Sequence, residues 1–591
     1  MRADQEVSQS MVIRFFKVLY RSPILSIALV SLIAAVIYWA ELPDPPIMAS
    51  PSQKLIGQHI FFAQPAALAA LLASVLALLT RRFIFSLAMV ISIFLLLTLL
   101  SKVKYSYLKQ KLLFTDFIYQ LREASELSFF INNYFYLFVK GLLAVAACLA
   151  ILALVFVFDK TRIRRSIAGV CVLLSLVAVE AAWRQVHDYY RDTVFAWASF
   201  SDQHLSNFII STRMYGDHFN KSWSFGDAPA KPGGAEPVIS TEIAAPAVRP
   251  NIIVILQESS VDPALFYDGP QYAVPRSFFQ SGDGAVRRLN VKTWGGKTWI
   301  SEHGFVLGAD VSYFGPRKDF LGVLGSGKFR ASFAQELKQA GYRSTLNYPS
   351  PTTFLNTRNF YLSLGFDKVY SEADMALEVE FGGPRPRDKD YYSFTLQDLE
   401  RQQKIDKTQP NFYFVLTSAT HHPWDYMEFP GVRENEYIPN DPVAEFARRQ
   451  RIAADDLDWF KAEIAKRFPG QPFLIAGFGD HHPMWTHDFV FGFPSWKGRK
   501  GITETMWRTY YFVDGVNFQP DYSVLSSEIE IGFLGESILS SAKLPLSSSY
   551  QVRQWLREKC AGKWADCSDK QSLDTANGLL SHGQFSIFNP R

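Results

Sequence analysis

Two apolar patterns divide the chain. Between residues 23 and 183 apolar residues come in long blocks: Pro23–Trp39, Ile60–Leu79, Phe83–Leu100, Tyr134–Phe158 and Ile167–Trp183. A helix needs roughly 20 apolar residues to cross a hydrocarbon core. The pattern therefore predicts five membrane-spanning helices, the last of them short and interrupted by Glu180. The first lies too deep in the chain, and is too well followed by others, to be a cleaved signal peptide. After residue 250 the runs shrink. Asn251–Gln257, Phe412–Thr417 and Phe473–Phe478 are short and continuous, as in parallel strands covered on both faces. Helical segments, Phe329–Gly341 and Pro442–Phe468, alternate with them. That alternation predicts a doubly wound α/β domain, with its ligand site beyond the carboxyl ends of the strands.

The stretches between these regions are of a third kind. Arg184–Trp223 mixes polar residues with Tyr189, Tyr190, Phe195, Trp197 and Phe200, which suits helices lying at a membrane interface. Ser224–Pro250 is rich in Pro, Ala and Gly and has no apolar period, as in a linker. The expected organisation is a multi-pass α-helical membrane domain (1–183), interfacial helices and linker (184–250), an α/β catalytic domain (251–547) and a C-terminal extension (548–591).

Charge adds an orientation. Arg2, Arg14, Lys17 and Arg21 precede the first block, Arg81 and Arg82 separate the second from the third, and Lys160, Arg162, Arg164 and Arg165 separate the fourth from the fifth. With five spans these flanks share one side, which should be cytoplasmic. Glu41–Gln58 is then a Pro-rich external loop of little charge. Lys102, Lys104, Lys109 and Lys111 fall on the outer side against the trend, to be solvated or set among anionic headgroups. The net charge of +4 over 591 residues is too small to argue for nucleic acid. Cys148 and Cys171 sit in apolar runs as inert membrane cysteines, while Cys560 and Cys567 flank a short polar loop. In an oxidising outer compartment these two are expected to pair.

Chemistry gathers at the strand ends. Glu258 follows the first strand, Thr420-His421-His422 the second, and Gly479-Asp480-His481-His482 the third. A carboxylate and imidazole pair such as Asp480-His481 suits manganese, zinc or magnesium, and Glu258 adds a third donor. In Thr293-Trp294-Gly295-Gly296-Lys297-Thr298 the glycines allow backbone to approach an anion and Lys297 supplies charge to it. Thr298 would present a hydroxyl to the metal, which lowers its pKa and makes it a nucleophile. Each of these residues alone is as well explained by an ordinary solvated loop; order and spacing carry the signal.

That order, strand-Glu-Ser, Gly-Lys-Thr about 40 residues on, His-x-Pro, then Gly-Asp-His, resembles the lipoteichoic acid synthase and phosphoglycerol transferase family of the alkaline phosphatase and sulfatase superfamily. The resemblance runs from the membrane spans to about Ser547. It implies a sulfatase-like extracytoplasmic domain and a metal site at Glu258, Thr298, Asp480 and His481. Manganese is the expected ion, with Mg2+ or Zn2+ also fitting, and Thr298 the nucleophile. Phe354-Leu355-Asn356-Thr357-Arg358-Asn359 resembles the family's Phe-Trp-Asn-Arg segment without its Trp, which makes Arg358 a phosphate ligand; Lys297 is a second. His421 matches the family's active-site His, for phosphoryl binding or proton transfer. The partners implied are a membrane phospholipid donor, phosphatidylglycerol first, and a glycan or lipid acceptor, at a bacterial inner membrane. Three rivals stand beside this reading: a phosphoethanolamine transferase, a phosphodiesterase with water as acceptor, and an inactive lipid-binding regulator. The Cys-x-Pro-x-Arg signature of sulfatases is absent, which speaks against sulfate-ester hydrolysis.

Overall fold

The computed structural model describes residues 51–108, 111–119, 124–190, 204–219, 223–225, 237–240, 248–377, 384–486, 507–582 and 585–589, with four positions between 32 and 37. Its contacts divide the chain into two units, Met1–Phe219 and Asn220–Arg591.

The first unit is helical: α1 (Pro51–Thr80), α2 (Phe83–Leu108), α3 (Phe114–Tyr119), α4 (Ala124–Phe158), α5 (Arg165–Tyr190) and α6 (His204–Phe219). Four stretches are long and apolar enough to cross a membrane: Phe62–Thr80, Phe83–Ser106, Tyr134–Phe158 and Arg165–Arg184. Of the predicted first span, Pro23–Trp39, only Leu32, Ile33, Ala35 and Ile37 are described, each helical; Phe195, Trp197 and Phe200 also lie outside the described residues. The predicted loop Glu41–Gln58 is helical from Pro51 onward.

Two basic turns sit at one end of this unit. Arg82 NH1 donates to the Asp159 carbonyl at 3.0 Å, and the Phe85 amide donates to Asp159 Oδ2 at 2.9 Å. A buried carboxylate thus satisfies one open amide at the α2 N-terminus, and the Thr161 hydroxyl accepts from that of Phe83 at 2.8 Å. The contrary lysines are not displayed as expected. Lys104 pairs with buried Asp116 at 2.7 Å, and Lys111 is buried with its ammonium 5.3 Å from the Tyr105 ring centroid. Pairing and cation–π contact offset the desolvation that would otherwise push such charges to the surface. Lys109 lies outside the described residues.

The second unit is built on one eight-stranded sheet in the order β4-β3-β5-β1-β6-β7-β2-β8. The strands are β1 (Asn251–Gln257), β2 (Arg287–Asn290), β3 (Arg343–Asn347), β4 (Lys368–Tyr370), β5 (Asn411–Leu416), β6 (Phe473–Gly479), β7 (Arg508–Val516) and β8 (Glu528–Glu530). The five from β4 to β6 are parallel, and β7 runs against both its neighbours. The helices used below are α7 (Thr298–Leu307), α8 (Phe333–Gln339), α9 (Thr357–Ser363), α10 (Asp388–Ile405), α11 (Pro442–Arg467), α12 (Leu534–Ser541), α13 (Ser548–Lys559) and α14 (Lys570–Ser581).

Why the central strands are continuous apolar runs is visible in β1. Ile252, Val254 and Leu256 enter one core, with Phe305 of α7 and Leu337 of α8, while Ile253 and Ile255 enter another, with Tyr391 of α10 and Leu457 of α11. Alternate side chains point to opposite faces, and both faces are covered, so no position is left for a polar residue. Phe305 anchors α7 against the sheet, 5.1 Å from Phe414 and 5.5 Å from Phe478 between ring centroids. The residues after 547 belong to this core as well: Leu556, Trp564 and Leu580 are fully buried, and Cys560 and Cys567 form a disulfide. At the other end of the unit, Phe225 is buried against Phe314, Trp564 and Phe588.

Candidate active site

The site forms where β1 and β6, neighbours in the sheet, end together. Gln257 pairs with Gly479, so the next residues, Glu258 and Asp480, emerge side by side. Gly479 is required there, since a Cβ would stand only 2.1 Å from the Ser260 carbonyl oxygen. Asp480 Oδ1 accepts from the amides of Ser259 at 2.6 Å and His481 at 2.8 Å. Asp480 Oδ2 is buried with no hydrogen-bond partner among the described residues and lies 3.2 Å from His481 Nε2.

Thr298 enters from the other side. Gly295, Gly296 and Lys297 all have positive φ (67°, 146° and 63°), which folds the chain sharply into the start of α7. Only glycine tolerates the value at 296 without strain. The turn is held by Thr293 Oγ1 donating to the Gly296 carbonyl at 2.6 Å and by the Gly295 amide donating to the His482 carbonyl at 2.9 Å. Thr298 therefore occupies the first helical position, where unpaired amides and the helix dipole favour negative charge. Its Oγ1 lies 2.9 Å from Glu258 Oε2 and 3.4 Å from His481 Nε2.

The donor set fits a divalent cation. Ligand atoms of Glu258, Asp480 and His481 lie within 4.8 Å of one another, all three residues buried. His481 Nδ1 is 2.9 Å from the His482 carbonyl oxygen, which a protonated Nδ1 satisfies. That tautomer turns the Nε2 lone pair toward two carboxylates, an arrangement of acceptors only. Burial, and next the Glu258 carboxylate, push the Asp480 carboxyl well above its ordinary range in the absence of a cation. Burial also lowers His481, so the imidazole is neutral as a ligand must be.

The remaining predicted residues separate. His421 follows β5 on a loop fastened to the site by Thr420, whose hydroxyl donates to the Glu258 carbonyl. Burial, then the nearby Arg385 guanidinium, hold its pKa well below the usual value. Its Nδ1 is 2.6 Å from the His422 carbonyl oxygen, which leaves the Nε2 lone pair as the free function. Lys297 pairs with buried Asp319 at 3.0 Å. Arg358, on α9, pairs with Asp374 at 2.7 Å, and both side chains keep over two-fifths of their exposure.

Other residues escaped the sequence pattern. Glu302, one turn after Thr298, is buried, and Tyr361 donates to it at 2.6 Å. Burial, helped by Glu258, raises its pKa to about 8. An i, i+4 spacing from the candidate nucleophile was its only advance signal. Arg449 of α11 donates to the carbonyls of His421 at 3.0 Å and Pro423 at 2.9 Å and pairs with Glu445 at 2.8 Å. Its place among helix charges hid that role.

Residues 301–520 match the sulfatase family model, a span that holds Asp480, His481 and His421 and begins just past Thr298. An uncharacterized protein of Haemophilus influenzae is 26% identical over 56% of this chain and 61% of its own length. The lipoteichoic acid synthase of Staphylococcus saprophyticus is 25% identical over 32% of this chain and 28% of its own. The chain thus aligns with less than two thirds of either relative. The structure of Streptococcus pyogenes phosphoglycerol transferase GacH in complex with sn-glycerol-1-phosphate is 17% identical with a TM-score of 0.44, over 56% of this chain and 86% of that one. Over residues 301–520, which hold the strands that lead into Asp480, His481 and His421, the chain is thus similar to the sulfatase family.

Proposed function

We propose that the protein is a membrane-anchored phosphoglycerol transferase, which moves a glycerophosphate headgroup from a phospholipid, phosphatidylglycerol first, to an extracytoplasmic acceptor such as a glycan. One observation carries the reading: a threonine hydroxyl at a helix N-terminus lies 2.9 Å from Glu258 and 3.4 Å from His481 in a sulfatase-family domain. The chain's similarity to a lipoteichoic acid synthase supports the headgroup. Helices long and apolar enough to span a bilayer support a lipid donor. The shared end of the basic turns Arg81–Arg82 and Lys160–Arg165 supports a cytoplasmic side there. The Cys560–Cys567 disulfide supports an oxidising compartment for the second unit, the periplasm or cell exterior.

The reaction proceeds in two displacements. Thr298 Oγ attacks the phosphorus of the donor phosphodiester, the bond to diacylglycerol breaks, and diacylglycerol leaves with a proton. Glycerophosphoryl-Thr298 remains. An acceptor hydroxyl then attacks that phosphorus, the bond to Thr298 Oγ breaks, and the hydroxyl proton passes through a base to Thr298 Oγ, which regains its hydroxyl. His421, neutral and with Nε2 free, is the base of this step. A divalent cation at Glu258, Thr298, Asp480 and His481, manganese first and Mg2+ or Zn2+ also fitting, would lower the hydroxyl pKa of Thr298 and withdraw charge from the phosphate. The amides opening α7 stabilise the negative charge that develops beside Thr298.

Thr298→Ala tests the reading in full-length protein reconstituted with headgroup-labelled phosphatidylglycerol. Wild type should release diacylglycerol and carry a glycerophosphoryl mass on Thr298. The variant should lose both, with turnover down by at least a thousandfold. Turnover within tenfold of wild type would sink the nucleophile assignment, and labelled phosphatidylethanolamine consumed in preference would transfer the reading to phosphoethanolamine.

A further inference from the structure

An anionic phosphodiester entering beside Glu258 and Asp480 needs cationic groups, and Arg358 and Arg385 are two candidates. Arg358 is already engaged: its NH2 donates to Asp374, which also accepts from the amide and hydroxyl of Ser371. Arg385 differs in each respect. It stands between Pro384 and Pro386, which restrict its backbone to an extended conformation. Its NH2 lies 3.3 Å from His421 Nδ1, and its Nε is buried with no hydrogen-bond partner among the described residues. A guanidinium carries five donors, and leaving one buried and unpaired incurs the full desolvation penalty of that group, which is larger when the group is charged. Natural sites seldom keep such a cost without a ligand to relieve it. Burial presses Arg385 toward its neutral form, and Glu258 is the largest attraction opposing that. Arg385 as a whole is half-buried, while its Nε is fully covered.

The position is built. The Arg385 amide donates to Glu428 Oε1 at 3.1 Å. The other oxygen of the same buried carboxylate lies 3.6 Å from Arg449 NH1, and Arg449 grips the carbonyls of His421 and Pro423. One buried network thus fixes Arg385 and His421 together.

We infer that Arg385, rather than Arg358, grips the phosphoryl oxygens of the substrate, presenting its unpaired Nε–H beside His421. This rests on the phosphotransferase reading of the site. A planar guanidinium suits two oxygens of one phosphoryl group, which an ammonium does not.

The test uses the full-length, detergent-purified, Mn2+-loaded protein, with inorganic phosphate as calorimetric probe. R385Q should weaken phosphate binding at least fivefold and by more than R358Q does. R385K should fall between wild type and R385Q. A loss below fivefold in R385Q, an equal or larger loss in R358Q, or no phosphate binding by wild type overturns the inference. Should R385Q lack a thermal transition, R385K decides, with a threefold loss as threshold. Phosphate binding through Arg385 in a protein that transfers no headgroup would overturn the proposed function and leave the subsite standing. Headgroup transfer undiminished in R385Q would do the reverse.

Discussion

The two units use the same apolar side chains in opposite ways. In α4 and α5, Leu143, Leu149, Leu173 and Val177 are 65%, 60%, 65% and 69% exposed. In β1 and β6, Ile252, Val254 and Ile475 are fully buried. Hydrocarbon is the solvent for the first set, so exposure is no loss; water is the solvent for the second, so burial is the gain. Run length separates the cases in advance. A span needs the thickness of a bilayer, whereas a strand under two covering layers needs only the width of one domain.

The sharpest way to break the comparison is a charge in each region. Val254→Asp puts a carboxylate between β1 and the core around Phe305 and should abolish the cooperative thermal transition of the second unit, at a cost above about 4 kcal/mol. Leu143→Asp should reduce membrane insertion by about 2.5–3.5 kcal/mol, readable in a glycosylation-type insertion assay. A soluble second unit in V254D would contradict the two-layer core.

Next in size is truncation. Phe305→Ala should destabilise the second unit by about 3–5 kcal/mol in a denaturant titration. Leu143→Ala, facing outward from α4, should leave detergent-state stability within about 1 kcal/mol, because no packed partner is lost. Equal costs for the two would mean that α4 has a protein neighbour on that face.

The smallest effect is a pH slope. Glu302 titrates near 8 in the folded unit against an ordinary 4.5, so the folded state holds the extra proton between those values. Stability from this group is present below the unfolded value and is lost as pH rises toward 8. In chelator-treated protein, Glu302→Gln should flatten the fall of melting temperature between pH 5 and 8. An unchanged slope would place the proton elsewhere.

How legible was the site? Glu258, Thr298, Asp480 and His481 stand directly after strand or Gly-rich turn signals, and short range explains their visibility: a strand ends, and the next residue is at the site. Arg385 had no such marker. It reaches His421 from a segment whose amide is held by Glu428, 43 residues further along the chain, and Glu428 in turn meets Arg449. Arg358 has the motif position, yet Asp374, brought beside it by the turn after β4, takes its charge. The residues following Ser547 looked like an appendage because their apolar positions are spread over two short helices; packing against Phe225 and Phe533 makes Trp564 core.

By itself the sequence determined where the chain meets hydrocarbon, which runs become buried strands, and which donors stand at the strand ends, because all three follow from local period and length. Tertiary structure alone decided that β1 and β6 lie side by side, so that Glu258 and Asp480 share a site, and that Arg358 pairs with Asp374 while Arg385, beside His421, keeps its Nε without a hydrogen-bond partner among the described residues. Those outcomes depend on strand order and on distant charged partners, which no local pattern of residues encodes.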